Sequence, residues 1–231
     1  MLSSLHAIAT SVGKVELDVG VKQNIDTKPR DGLDINLFSS TTTLFGMAEA
    51  SLAPCKRIND GEDLNFFLAS TAYRDIKIWL LQLNRALFPT KDESGTVSVC
   101  TLDSPPSYSP LISGLNALVG DFEKLVAQAP PHTGPRRFGN VAFREWYRLA
   151  EEQADTLLEK YLEFNLKQHA NDPSVLAELR AYLLGGFGSA LRLDYGTGHE
   201  LSFLAFLACL SKINAFAPGE ERAIVIGVVQ P

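Results

Sequence analysis

Excess positive charge is the first thing this chain lacks: its 231 residues hold 27 acidic against 21 basic side chains, a formal net charge of −6. That sign argues against a duplex nucleic-acid binder, which must neutralise phosphates with a basic face. Cysteine is scarce, and Cys55, Cys100 and Cys209 are odd in number and share no metal-ligand or redox spacing. A disulfide framework is therefore not expected, and the three read as ordinary cytosolic thiols. His6, His132, His169 and His199 lie in unrelated contexts, so no metal site is expected either.

Long hydrophobic runs are also missing. The longest uncharged apolar run within a helix candidate, Leu201 to Ser211, has 11 residues, too short to span a bilayer. The N-terminus MLSSLHAIATSV is apolar, but its first cation, Lys14, comes after that stretch, which suits neither a secretory signal nor an Arg-rich transit peptide. The expectation is a cytoplasmic protein, also nuclear, with neither membrane nor nucleic acid as a partner. Segments of strand period and useful length are absent too, and no repeat is found.

What is present is 45% hydrophobic and 21% charged residues, enough to bury a core. Residues 1 to 54 have no helical period, contain the polar cluster Phe38 to Thr43 and end at Pro54, so they are expected to be a disordered N-terminal extension. From 55 to 231 the texture is helical. Asp60 and Ser70 are caps for two helices, the second running from Thr71 to Phe88 with Tyr73, Ile76, Leu80, Leu83 and Leu87 on one face. Residues 90 to 107 read as a loop, because Val97 to Leu102 is too isolated to pair as a sheet.

Pro110 to Ala129 makes an amphipathic helix through Leu111, Leu115, Leu118, Phe122 and Leu125. The longest helix follows, from a cap at Asn140 to about Leu166, with a stripe running from Phe143 through Trp146, Tyr147, Ala150, Ala154, Leu157, Leu158 and Tyr161 to Leu162. Asp172 and Pro173 restart a helix at the N-cap and N1 positions, and it is expected to reach 190. It then passes through Gly185, Gly186 and Gly188, each costing about 1 kcal/mol in a helix interior, so close packing or a bend is required there. Glu200 opens a last helix so apolar from Leu201 to Ile213 that it must be buried on most sides.

The chemistry-bearing run is Arg192 to Glu200. Asp194-Tyr195-Gly196-Thr197-Gly198-His199-Glu200 is a two-glycine loop feeding a helix N-terminus, where free N–H groups and the helix dipole attract anions. Thr197 adds a hydroxyl and Arg192 a fork of donors suited to phosphate. With no preceding strand the run is neither a Walker loop nor a dinucleotide fingerprint. A tight interhelical turn with Arg192 paired to Asp194 explains the same residues. A second candidate, Arg136-Arg137-Phe138-Gly139-Asn140 before Phe143 and Trp146, reads equally as a helix start capped by Asn140 or as a basic rim beside an aromatic pocket.

Three stretches resemble, in order, the phosphotyrosyl phosphatase activator family: Lys56-Arg57-Ile58 with Asp63, Phe67, Ser70 and Tyr73; RRFGNVAFREWY at 136 to 147; and ELRAYLLGGFGSALRLDYGTGHELSFLAFLACL at 178 to 210. The resemblance covers about Lys56 to Lys212. It implies an all-α, multi-helix fold with core, linker and lid parts. It also implies an activator of type 2A serine/threonine protein phosphatases that binds the catalytic subunit, acts as a peptidyl-prolyl cis/trans isomerase, and holds ATP with Mg2+ in a cleft.

By position, Arg192, Thr197 and Gly198 are expected to contact nucleotide, with Asp194, Tyr195, Gly196, His199 and Glu200 shaping the cleft; no catalytic residue is assigned. The alternatives are a non-catalytic phosphatase-binding module and an inactive truncated product. The family continues beyond the position matching Pro231 into further helices and a Gly-Val-Trp-Gly-Leu-Asp-Asp segment. The chain is therefore expected to be C-terminally shortened, with weak or absent ATP binding and with Leu201 to Ile213 the face most exposed by the loss.

Overall fold

A computed structural model describes residues 54–230, apart from 92, 100, 135–138, 170 and 171; the extension expected over 1 to 54 lies outside the described residues except for Pro54. The described chain is all-α. Helix α1 spans Gly61–Leu68 and α2 Thr71–Ala86, started by Asp60 and Ser70, whose side chains accept the N–H groups of Glu62 and Asp63 and of Tyr73. Helix α3, Pro110–Lys124, runs into a 3-10 turn at Leu125–Ala127, and α4 is the long helix Ala142–Gln168. Helices α5, Pro173–Gly185, and α6, Thr197–Lys212, come next; α7, Glu221–Ile224, widens into a π turn at Val225–Val229.

Four expectations change. Thr90–Lys91 and Val97–Ser98 do pair, as a two-residue antiparallel hairpin, because the intervening turn supplies Gly95 at φ +86°. Helix α5 stops at Gly185 rather than 190, so Gly186 and Gly188 lie beyond it and cost no helix interior. Helix α6 opens at Thr197, three residues before Glu200. Helix α4 kinks at Leu162, which has non-helical φ −118° and ψ 15° while staying buried at the end of its stripe.

The core is one cluster. α3 packs on α4, α4 on α5 and α5 on α6, while α7 and its π turn fold back onto α2 and α3. Ile112, Leu115, Leu118 and Phe122 of α3 meet Ala150, Ala154, Leu158 and Leu162 of α4 and Leu183 of α5. Each fully buried Leu or Phe contributes about 1.5–3 kcal/mol through apolar surface removed from water. Helix α6 buries Leu204 through Ala208 and Leu210, while Leu201 near its start is 45% exposed. The large exposed apolar side chains gather instead on α1, α2 and the hairpin, among them Phe66, Ile78, Leu81, Phe88 and Val97.

Polar ties between helices fix their registry. The Trp146 indole N–H donates to the Phe122 carbonyl at 3.1 Å, and Asn116 donates to the Gly227 carbonyl at 2.8 Å. Asp121 of α3 accepts from Lys160 at 2.8 Å and from the Tyr161 hydroxyl at 2.6 Å, both on α4, and from Lys124 at 2.7 Å. Hydrogen bonds from Lys124, Lys160 and Tyr161 hold the Asp121 carboxyl well below the usual carboxylate range.

A carboxylate whose folded pKa lies below its unfolded value adds stability above about pH 4, and that contribution is lost as pH falls through the folded pKa. Asp121→Asn is therefore expected to flatten the acid limb of the stability curve between about pH 4 and pH 2, read by urea unfolding at a series of pH values. Leu158→Ala is expected to cost about 2–5 kcal/mol in the same assay, whereas Phe66→Ala, at an 82% exposed position, should stay within about 0.5 kcal/mol.

Candidate functional site

Two helices that touch closely create the site. A Cβ placed on Gly185 would lie 2.5 Å from the Ser202 hydroxyl, so glycine lets the end of α5 meet the second turn of α6 with that hydroxyl in place. Ser202 donates to the Tyr182 carbonyl at 2.9 Å across the same contact. That approach brings His199 Nδ1 within 2.7 Å of the Gly185 carbonyl oxygen. A carbonyl only accepts, so Nδ1 carries the proton and Nε2 faces the loop.

The loop between the helices is wound tightly. Ser189 N–H donates to the Asp194 carbonyl at 3.1 Å, Leu193 N–H to the Ser189 carbonyl at 2.7 Å, and Arg192 N–H to the Ser189 hydroxyl at 3.1 Å. Leu193 sits at φ +54°, a left-handed conformation that costs a branched residue free energy and is held by its surroundings. Two of those surroundings come from the 139–144 region. Arg144 of α4 donates through Nε to the Ala190 carbonyl at 3.1 Å, and Gly139, itself at φ +88°, lies so near Leu193 that an added Cβ would be 2.5 Å from its carbonyl oxygen.

Side chains then distribute along the turn. Arg192 Nε donates to Asp194 Oδ2 at 2.7 Å, and the other carboxylate oxygen, Oδ1, is 3.7 Å from His199 Nε2. Hydrogen bonding from Arg192 holds the Asp194 carboxyl below its ordinary value and raises the arginine in return. The Tyr195 ring stacks on His199 at 5.7 Å, and burial pushes its hydroxyl pKa up. Gly196 is the N-cap of α6 and Thr197 its first residue; unlike α1, α2, α3 and α5, this helix has no side-chain cap over its first N–H groups. Glu200 Oε2 is buried without a hydrogen-bond partner among the described residues.

The turn therefore gathers Arg192, Asp194, Tyr195 and His199 into contact and places Thr197 and Gly198 on the adjoining helix end. From Arg192 to Gly198 every residue except Leu193 is exposed, which makes the site an open rim. Sequence reasoning missed the support given by Gly139 and Arg144, because nothing local marks a contact between residues so far apart in the chain. In the second candidate the N-cap of α4 is Val141, without a side-chain cap bond, and the expected cap Asn140 instead ties the turn before it. Asn140 Oδ1 accepts the Ala142 and His132 N–H groups, and Phe143, Trp146 and Phe187 pack on one another as core aromatics. Arg136, Arg137 and Phe138 lie outside the described residues.

An anion fits this arrangement: Arg192 is exposed, the first N–H groups of α6 are uncapped, and a Cβ added at Gly196 or Gly198 meets nothing within 4 Å. No cluster of three or more His, Cys, Asp or Glu among the described residues is placed to hold a metal. Cys209 has no features of a reactive thiol, since burial pushes it up to about 11. None of the described helices is long and apolar enough to cross a membrane.

A family profile described as "Phosphotyrosyl phosphate activator (PTPA) protein" matches residues 54–231. The chain belongs to that family. It is 51% identical over 189 residues to serine/threonine-protein phosphatase 2A activator 1 of Aspergillus fumigatus, covering 78% of this chain and 40% of that one. The activator 1 of Saccharomyces cerevisiae is 36% identical over 166 residues, with 71% and 38% covered. The crystal structure of the PP2A phosphatase activator Ypa1 superposes with a TM-score of 0.62 at 30% identity, covering 77% of this chain and 53% of that one. The chain thus spans less than half the length of the first curated relatives it matches.

The stretches at 136 to 147 and 178 to 210 meet at Gly139 against Leu193 as well as at Arg144 against Ala190. Gly139→Ala is expected to cost about 1–3 kcal/mol from the positive φ and the clash together. Its amide NMR spectrum should shift most at 189 to 194; shifts confined to 139 and 140 would show that the contact does not hold the turn.

Proposed function

We propose that this chain is an activator of type 2A serine/threonine protein phosphatases that docks on the catalytic subunit, acts as a peptidyl-prolyl cis/trans isomerase and takes ATP with magnesium at the Arg192 to Glu200 turn. The observation that carries the reading is the junction where Gly139 and Arg144, from one family stretch, clamp Ala190 and Leu193, from the other. A strained loop clamped from two sides holds an arginine fork and an uncapped helix end in fixed relation. The relatives' names supply the phosphatase; cytoplasm and nucleus are the proposed compartments.

Isomerisation needs no nucleophile. Its barrier of ~18–20 kcal/mol falls when a site desolvates the imide and favours the twisted amide, which accounts for the absence of a catalytic triad among the turn's residues. When bound, the nucleotide supplies a polyanion at the positive end of α6. Arg192 would fork onto its phosphates, the Thr197 and Gly198 N–H groups would donate to them, and Tyr195 stacked on His199 would border the site. Because these residues form one exposed wall, affinity for ATP with magnesium should be weaker than micromolar in a calorimetric titration.

Gly198→Ala offers a clean test, since the added Cβ meets nothing within 4 Å and Gly198 has no positive φ. It is expected to keep or raise stability by about 0.4–1 kcal/mol while lowering activation of a purified type 2A catalytic subunit. Arg192→Gln should lower activation without loss of fold. Activation that survives complete loss of isomerase activity in either variant supports the non-catalytic module instead. A wild-type chain that neither binds nor activates the catalytic subunit sinks both readings.

A further inference from the structure

We propose that Asp194 is an internal competitor for the anion site: in the free protein its carboxylate takes the Arg192 Nε–H, and a phosphate-bearing ligand must displace it to gain that donor. The inference rests on the reading that an anion binds at this turn, and it concerns how that site is gated.

One carboxylate stands between two partners. Its Oδ2 takes the Arg192 Nε–H at 2.7 Å, which is charge-assisted hydrogen-bond distance, while Oδ1 is 3.7 Å from His199 Nε2, beyond it. The backbone around it is fixed by the Ser189 bonds and by Arg144, so the carboxylate moves by rotation of its own side chain and the loop need not rearrange. His199 is equally fixed, donating Nδ1–H to the Gly185 carbonyl at 2.7 Å with its ring against Tyr195.

The lock is weak by construction. Arg192 and Asp194 have side chains 64% and 49% exposed, so solvent screens the pair and it can be opened by a ligand of modest affinity. A carboxylate oxygen on the Arg192 Nε–H imitates a phosphate oxygen in charge, so an anion is the ligand that competes for the same donor.

The test is an NMR and calorimetric titration of the full chain with ATP and magnesium. Asp194→Asn is expected to bind about two- to five-fold more tightly than the wild type, the range that loss of an exposed pair allows. In the free wild type, the Arg192 side-chain Nε–H should exchange slowly with water, and in Asp194→Asn it should exchange fast. Asp194→Ala should repeat both results if the asparagine variant fails to fold.

Equal or weaker binding by the variants overturns the inference and leaves the nucleotide reading standing. Tighter binding with the same Nε–H exchange in both proteins also overturns it, because the gain then comes from removing a negative charge rather than from freeing the arginine. Absence of ATP binding in wild type and variants alike overturns this inference and the nucleotide reading together.

Discussion

The close contact of α5 and α6 at Gly185 is the constraint on which the rest depends. A side chain there would push the Ser202 hydroxyl out of its place, and with it the bond that joins the two helices where the turn begins. With glycine, Ser202 reaches the Tyr182 carbonyl and His199 reaches the Gly185 carbonyl, so the C-terminal end of α5 is satisfied by side chains of α6. The apolar length of α6 then lies against the core, where Phe206, Leu207 and Leu210 are buried. The turn inherits its position from that packing.

Rigidity and function are divided between different residues. The core aromatics Phe122, Trp146 and Phe187 stack beneath the loop and tie α3, α4 and the chain after α5 together. Above them, Arg144 and Gly139 hold the backbone of 190 to 193 in a conformation that Leu193 would not choose alone. Arg192, Asp194 and Tyr195 are left exposed on a fixed frame. A strained backbone with free side chains is the usual division where a surface must be ready for a ligand.

The sequence made the helices legible where caps and periodicity agreed. Asp60, Ser70 and Asp172 cap as their residue types suggest, Pro173 starts α5, and the stripes of α3 and α4 are buried much as their spacing implies. Legibility failed where local and tertiary signals diverge. The apolar run of α6 has no polar face, so its start could not be read from a period, and Thr197 to His199 were taken for loop. Trp79 is buried off the stripe assigned to α2 because α7 and the Phe216 ring cover that side. The hairpin from Thr90 to Ser98 is too short to leave a pattern. At the site, the Arg192 to Asp194 pair was readable as one of two alternatives, whereas the clamp from Gly139 and Arg144 is a contact of high sequence separation with no local trace.

The openness of the turn bears on the kind of catalysis it can support. Lowering the barrier to prolyl rotation requires taking the imide out of water, because water stabilises the planar, charge-separated amide more than the twisted one. A rim whose residues face solvent from Arg192 to Gly198, save Leu193, supplies donors and charge but cannot by itself exclude water. On the function proposed above, isomerisation at this turn would need a second wall, which a folded partner pressed against the rim would supply. A phosphatase catalytic subunit would in that case be both the surface that completes the site and the chain whose proline turns. Activation and isomerisation would then share a single docking geometry, and a small free peptide, which brings no wall with it, would be the poorer substrate.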